Sequence, residues 1–216
     1  LCRHRKFRML DFSKLKLTLS GFGSLATYAE NLWLEITEDR ICEVYGMTEA
    51  SPIISCSDVS NPKPGSIGSP IMDTEIRLVD ENYKDVSKGL PGELLVRGPQ
   101  VMKGYWNRPE ATTDSFTEDG EWLRTGDVAV IDNDGFVKIV DRIKDMILVS
   151  GFNVYPNEIE EVVAAHPAVE NCAAIGVPDD KSGEAVKLFV ISTDPNVTAK
   201  DIKDFCRESL TGYKLP

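Results

Sequence analysis

Leu15-Lys16-Leu17-Thr18-Leu19 alternates apolar and polar residues, and Ser20-Gly21-Phe22-Gly23-Ser24 then turns the chain. An alternation of period two predicts a strand. Residues 25–36 follow with Leu25, Tyr28, Leu32 and Ile36 near helical spacing, which predicts a helix. A second short strand is expected from Arg40 to Val44, running into Tyr45-Gly46. Strand, turn, helix, strand is the order of an α/β layer. Polar loops at the ends of such strands are where open α/β sheets bind ligands.

The character changes after residue 50. Pro52, Pro62, Pro64, Gly65, Gly68 and Pro70 interrupt the chain, and short β-rich runs follow at 74–79, 92–97, 128–131 and 136–140. Asp134-Gly135 between the last two is a hairpin signal. A small antiparallel β subdomain over about residues 64–140 is therefore expected. A third region begins near residue 145. Met146–Val149 reads as a strand, Pro156 opens a helix through Ala165, and 169–177 and 184–192 read as strands. Thr198, with Asp201 three residues on, predicts the start of a helix to about Leu210. The fold class expected is α/β plus α+β. Residues 1–143 form the end of a large domain that includes the β subdomain, and 144–216 form a truncated small α+β domain.

Composition narrows the function classes. Of 216 residues, 42% are hydrophobic and 27% charged, as in ordinary globular proteins. A net charge of −11 disfavours non-specific binding to nucleic acid. Five cysteines without a CxxC pair, and two histidines, argue against a zinc site and for reduced thiols in a cytosolic protein. No apolar run reaches the about 18 residues that span a bilayer. Arg3, Arg5, Lys6 and Arg8 read as a solvated helix face, with a membrane-surface patch as the alternative.

Three short segments carry chemistry. Tyr45-Gly46-Met47-Thr48-Glu49 offers a flat ring for a base, a hydroxyl for a phosphate oxygen and a hard oxygen for Mg²⁺. On its own it reads as a turn before a helix. Trp122-Leu123-Arg124-Thr125-Gly126-Asp127 ends in a carboxylate able to accept two ribose hydroxyls, or in a plain turn residue. Val140-Asp141-Arg142-Ile143-Lys144-Asp145-Met146-Ile147 would alone be a solvated linker.

Together and in this order, the three resemble the adenylate-forming superfamily of acyl-CoA synthetases, luciferases and peptide-synthetase adenylation domains. The resemblance extends through Pro64-Gly65-Ser66-Ile67-Gly68, Gly92-Glu93-Leu94, Gly104-Tyr105-Trp106 and the stretch 150–160. Residues 119–149 are similar to the fatty-acyl-CoA synthetase signature, and 98–106 and 210–216 look most like bacterial long-chain-fatty-acid–CoA ligases. The resemblance implies ATP-dependent activation of a long-chain fatty acid, first to acyl-AMP and then to acyl-CoA, with ATP, CoA and Mg²⁺ as ligands. A medium-chain or aryl acid ligase, or a non-catalytic nucleotide-binding relative, is the alternative. It implies that Tyr45 stacks on adenine beside Gly46, that Thr48 bonds the AMP phosphate and that Glu49 holds Mg²⁺. Asp127 would bind the ribose with help from Arg142, Lys144 would be the hinge, and Gly151 would border the pantetheine arm of CoA. A β-turn glycine is the plain reading of Gly151. The implied location is cytoplasmic, with peripheral association at the inner membrane face left open, as is the oligomeric state.

Two departures stand out. Phe22 occupies a position where the family has a small residue lining the nucleotide and acyl pocket. The Ser/Thr/Gly-rich phosphate loop and the adenylation lysine are expected outside residues 1–216, upstream and downstream respectively. The sequence thus reads as a portion of a longer enzyme, and the 216 residues alone are expected to make no acyl-AMP from ATP and fatty acid.

Overall fold

The computed structural model describes residues 2, 4–21, 23, 25 and 27–216. Phe22 and Arg3 lie outside the described residues. The chain divides into two compact units, Leu1–Ile139 and Val140–Pro216.

The first unit opens with β1 (Thr18–Ser20), α1 (Thr27–Thr37) and β2 (Ile41–Gly46). β1 and β2 pair in parallel, Thr18 against Ile41. Parallel neighbours need a crossover, and α1 supplies it. The strand expected from Leu15 begins only at Thr18: Leu15 N–H donates to the Phe12 carbonyl in a turn at 2.8 Å. The alternation is present, but only three residues find a partner strand. β3 (Ile53–Cys56) and β4 (Ser69–Pro70) complete this sheet in the order β1-β2-β3-β4. Neither was expected. β3 is a run of four without alternation, and β4 is two residues ending in a proline, which cannot donate to a ladder.

A second sheet has the order β5-β6-β7-β8, from β5 (Glu75–Val79), β6 (Gly92–Arg97), β7 (Leu123–Ile131) and β8 (Val137–Arg142). β5 with β6 and β6 with β7 are antiparallel. This is the small β subdomain read from the sequence. Its fully buried Leu94, Leu95, Val96 and Leu123 alternate between packed faces; burying one such side chain contributes about 1.5–3 kcal/mol. A short helix, α2 (Pro109–Asp114), lies in the loop between β6 and β7, with proline at its start. The polar run Pro-Glu-Ala-Thr-Thr-Asp gave no apolar period by which to predict it. Trp122 is held between two guanidinium groups, Arg97 at 4.5 Å and Arg77 at 5.2 Å from its ring centroid.

The second unit begins within β8. It contains β9 (Ile147–Val149), β10 (Phe152–Val154), α3 (Pro156–Ala164), β11 (Val169–Asp179), β12 (Gly183–Ser192) and α4 (Ala199–Arg207). Its sheet order is β10-β9-β12-β11. Ile159 and Val163 of α3, and Ile202 and Cys206 of α4, are four apart and so share a helix face. They bury that face in one core with Ile147, Val154 and Val186. The Thr198–Asp201 capping box is present, the Thr198 side chain accepting from Asp201 N–H and the Asp201 carboxylate from Thr198 N–H. Such a cap contributes about 1 kcal/mol. α4 stops at Arg207, three residues before the expected end, although Leu210 N–H still donates to the Cys206 carbonyl at 2.8 Å. Among the described residues no helix is long and apolar enough to cross a membrane.

Candidate functional site

β2 ends against a backbone. A Cβ added at Gly46 would lie 1.9 Å from the Pro52 carbonyl oxygen, far inside any permitted contact. Glycine alone fits, and Met47 N–H closes the loop by donating to that same oxygen at 2.8 Å. The chain therefore reverses within one tight 3₁₀ turn, Thr48–Ala50, followed by Ser51 at φ +54°. Tyr45 stays on the strand, and Thr48 and Glu49 fall on the turn.

Asp127 reaches the same place from a different sheet. Leu95 pairs with Arg124 and Glu93 with Val128, so Thr125, Gly126 and Asp127 face Leu94 alone. A bulge of this kind re-aims side chains out of the ladder. Gly126 turns the backbone at φ +71°. Thr125 Oγ1 donates to the Leu94 carbonyl at 2.7 Å and accepts from Asp127 N–H at 3.1 Å. Pinned this way, the Asp127 carboxylate accepts a hydrogen bond from the Tyr45 hydroxyl, with 2.6 Å between oxygens. The two residues are 82 apart in the chain. Tyr45 is half-buried and packs against two apolar clusters of this unit, one around Leu94 and Val137 and one around Ile54 and Val96.

Two residues before Tyr45 on β2, burial and the nearby Glu30 carboxylate push the Glu43 carboxyl up to about 7; the Gly65 amide and Lys138 pull the other way. Glu30, itself buried, is also raised, chiefly by desolvation, with Arg40 opposing. Burial thus raises two neighbouring carboxyls, one of them on the tyrosine-bearing strand itself.

Glu49 has a partner that sequence reading did not single out. Tyr105 donates its hydroxyl to Glu49 Oε1 at 2.6 Å, and Met102 N–H donates to the Glu49 carbonyl at 2.7 Å. The Glu49 carboxylate raises the Tyr105 phenol above its ordinary pKa, with burial adding to the effect. The Gly104-Tyr105-Trp106 motif flagged the position, but no local pattern showed where its hydroxyl points. Glu49 fits Mg²⁺ in one respect. Mg²⁺ at a phosphate site takes one or two carboxylates, keeps waters and uses phosphate oxygens for the rest. Among the described residues no group of three or more His, Cys, Asp or Glu could hold an ion unaided, so a single carboxylate suits only an ion delivered with phosphate.

Arg142, Lys144 and Gly151 belong to the second unit. Arg142 ends β8 and donates its N–H to the Asp141 carboxylate at 2.8 Å. Asp141 is buried and also accepts from Asn157 N–H at 2.9 Å. Lys144 lies exposed in the turn Ile143–Asp145. Gly151, at φ +83°, follows Ser150, at φ +51°, in a two-residue hairpin joining Val149 to Phe152. Two positive φ values define a type I′ turn, which explains the glycine without a ligand; a Cβ there would meet nothing within 4 Å. A cavity of about 350 Å³ in this unit is lined by Asp141, Lys144, Asp145, Glu160 and Glu184 among others. Two of its carboxylates are engaged structurally: Glu160 accepts from Ala174 N–H at 2.8 Å and Glu184 from Leu148 N–H at 2.7 Å.

A tyrosine at the end of one sheet's strand and a bulge-borne aspartate of another sheet thus meet at one hydrogen bond, with the threonine–glutamate turn following the tyrosine in the chain. Two family models match the chain: AMP-binding enzyme over residues 1–106, and AMP-binding enzyme C-terminal domain over residues 158–216. The chain belongs to the family of AMP-binding, adenylate-forming enzymes. Over its whole length it is 52% identical to the long-chain-fatty-acid–CoA ligase of Escherichia coli O157:H7, of which it covers 38%. Among solved structures it resembles the anthranilate CoA ligase AuaEII in complex with anthranoyl-AMP, with a TM-score of 0.89 and 33% identity, covering all of this chain and 42% of that one. It also resembles ATP-bound MatB from Rhodopseudomonas palustris, with a TM-score of 0.86 and 35% identity over 93% of this chain and 40% of that one. The chain thus spans about two fifths of the length of these relatives.

Proposed function

We propose that the protein containing this chain is an AMP-forming ligase that converts a long-chain fatty acid to acyl-AMP and then to acyl-CoA. The observation carrying this reading is the Tyr45–Asp127 hydrogen bond of 2.6 Å, which joins the proposed adenine and ribose residues at one point. In the first step a carboxylate oxygen attacks the α-phosphorus of ATP and pyrophosphate leaves. In the second the CoA thiol attacks the acyl carbonyl, loses its proton and expels AMP.

Tyr45 offers its ring to adenine, with Gly46 keeping the loop tight beside it. The Asp127 carboxylate accepts the ribose hydroxyls, replacing the phenol hydrogen bond it now accepts. Thr48 donates its hydroxyl to the α-phosphate. Glu49 would be the protein ligand of a Mg²⁺ that arrives with ATP, which would offset the charge on the transferring phosphate. Arg142 assists at the ribose, Lys144 is the hinge about which residues 144–216 turn between the two steps, and Gly151 borders the pantetheine arm. These roles follow from the family motif at each position.

The acyl chain length is tested in the full-length protein by pyrophosphate release against acids of graded length and aryl acids. We expect the highest kcat/KM with long-chain acids, in line with the higher identity to the long-chain ligase than to the anthranilate ligase. A preference for aryl acids would reject that substrate class while leaving the adenylate-forming chemistry in place.

A further inference from the structure

We infer that Tyr105 is a positioning residue for the Glu49 carboxylate, fixing which of its oxygens is presented to a nucleotide-borne divalent cation. The inference rests on the reading of Glu49 as a metal ligand.

Glu49 is held twice by the segment that follows β6. Met102 N–H takes its carbonyl and the Tyr105 hydroxyl takes Oε1, at 2.7 and 2.6 Å. The backbone bond fixes where the residue starts and the phenol bond fixes where its side chain ends. With Oε1 committed, Oε2 carries no hydrogen bond among the described residues and is the oxygen available to a cation. A carboxylate with three rotatable bonds would otherwise lose conformational freedom only when the ion arrives, which weakens binding.

Tyr105 is itself built into place. Thr112 of α2 accepts the Tyr105 N–H on its hydroxyl at 2.9 Å while donating that hydroxyl to the Arg108 carbonyl, also at 2.9 Å. Gly104, at φ +144°, lets the chain pass the same threonine; an added Cβ would lie 2.5 Å from Thr112 Cγ2. Glycine, tyrosine and threonine thus form one support, and its phenol oxygen contacts Glu49. A tyrosine kept for packing would have no need of it: Tyr105 is 40% exposed.

The test uses the full-length protein with the non-cleavable analogue α,β-methylene-ATP. Mn²⁺ affinity is read by electron paramagnetic resonance for wild type, Tyr105→Phe, Thr112→Val and Glu49→Gln. Losing an outer partner of a metal ligand typically weakens binding by about 10-fold or more. We therefore expect Tyr105→Phe to weaken Mn²⁺ about 10-fold, with KM for the fatty acid and Tm unchanged. Thr112→Val, which keeps the phenol but loosens its backbone, weakens Mn²⁺ less and in the same direction. Wild-type Mn²⁺ affinity in both variants overturns the inference while the role of Glu49 stands. Wild-type affinity in Glu49→Gln instead overturns the metal-ligand reading itself.

Discussion

Gly126 and Gly151 have similar positive φ values, +71° and +83°, in open surroundings where an added Cβ meets nothing within 4 Å. Their consequences differ. Gly126 sits inside a bulge in which Thr125 bonds to Leu94 of β6 and holds the Asp127 N–H, and the turn it allows points Asp127 at a tyrosine from another sheet. Gly151 closes a two-residue hairpin between β9 and β10 and points nothing anywhere. Left-handed geometry therefore does not by itself re-aim a neighbouring side chain. What marks Asp127 is the over-determined bulge around it, in which a residue's direction is fixed by bonds that do not involve its own side chain. Gly46 is a third case, required by crowding rather than by φ.

The comparison breaks most visibly at Gly46. Gly46→Ala forces a methyl into the Pro52 carbonyl, and we expect a loss of more than about 3 kcal/mol, read as a large drop in urea midpoint or a failure to fold. A variant with near wild-type stability would mean that the loop is free to open. At the two positive-φ glycines, alanine should cost about 1 kcal/mol each. Function should then separate them: Gly126→Ala lowers acyl-AMP formation by swinging Asp127, whereas Gly151→Ala leaves it intact. Equal losses of acyl-AMP formation would erase the distinction.

The smallest expected effect concerns Glu43, two residues before Tyr45 on β2. The folded-state carboxyl of Glu43 stands at about 7, against an ordinary 4.5. Between those values the folded protein holds a proton that the unfolded chain has released, so stability falls as pH rises through this window. Glu43→Gln removes that slope. Because Glu43 is only partly buried, the change between pH 5 and pH 8 should be on the order of 1 kcal/mol. A pH dependence identical in wild type and variant would show that the Glu43 carboxyl is solvated.

Much of this was legible in the chain itself. Strands β6, β11 and β12 follow from β-rich runs, α1 from helical spacing and α3 from the proline that opens it, and the Thr198–Asp201 box formed as its spacing requires. What escaped was set by tertiary partners. β3 and β4 exist because β2 offers an edge, and α2 is a polar helix held in a loop. The Tyr45–Asp127 meeting was expected from motif order alone; the bulge that makes it had only Thr125-Gly126 as a local sign. Tyr105 stood in a recognised motif, yet its hydroxyl reaches Glu49 across 56 residues of chain, and no periodicity encodes that.

The central claim is that Tyr45 and Asp127 form one nucleoside site, and ribose discrimination tests it most directly. In the full-length protein, calorimetry would compare binding of AMP with that of 2′,3′-dideoxy-AMP for wild type and Asp127→Ala. Two charge-assisted hydrogen bonds are worth about 100-fold together. The account predicts that wild type prefers AMP by roughly that factor and that Asp127→Ala loses most of that preference. A full preference for AMP surviving in Asp127→Ala would contradict it.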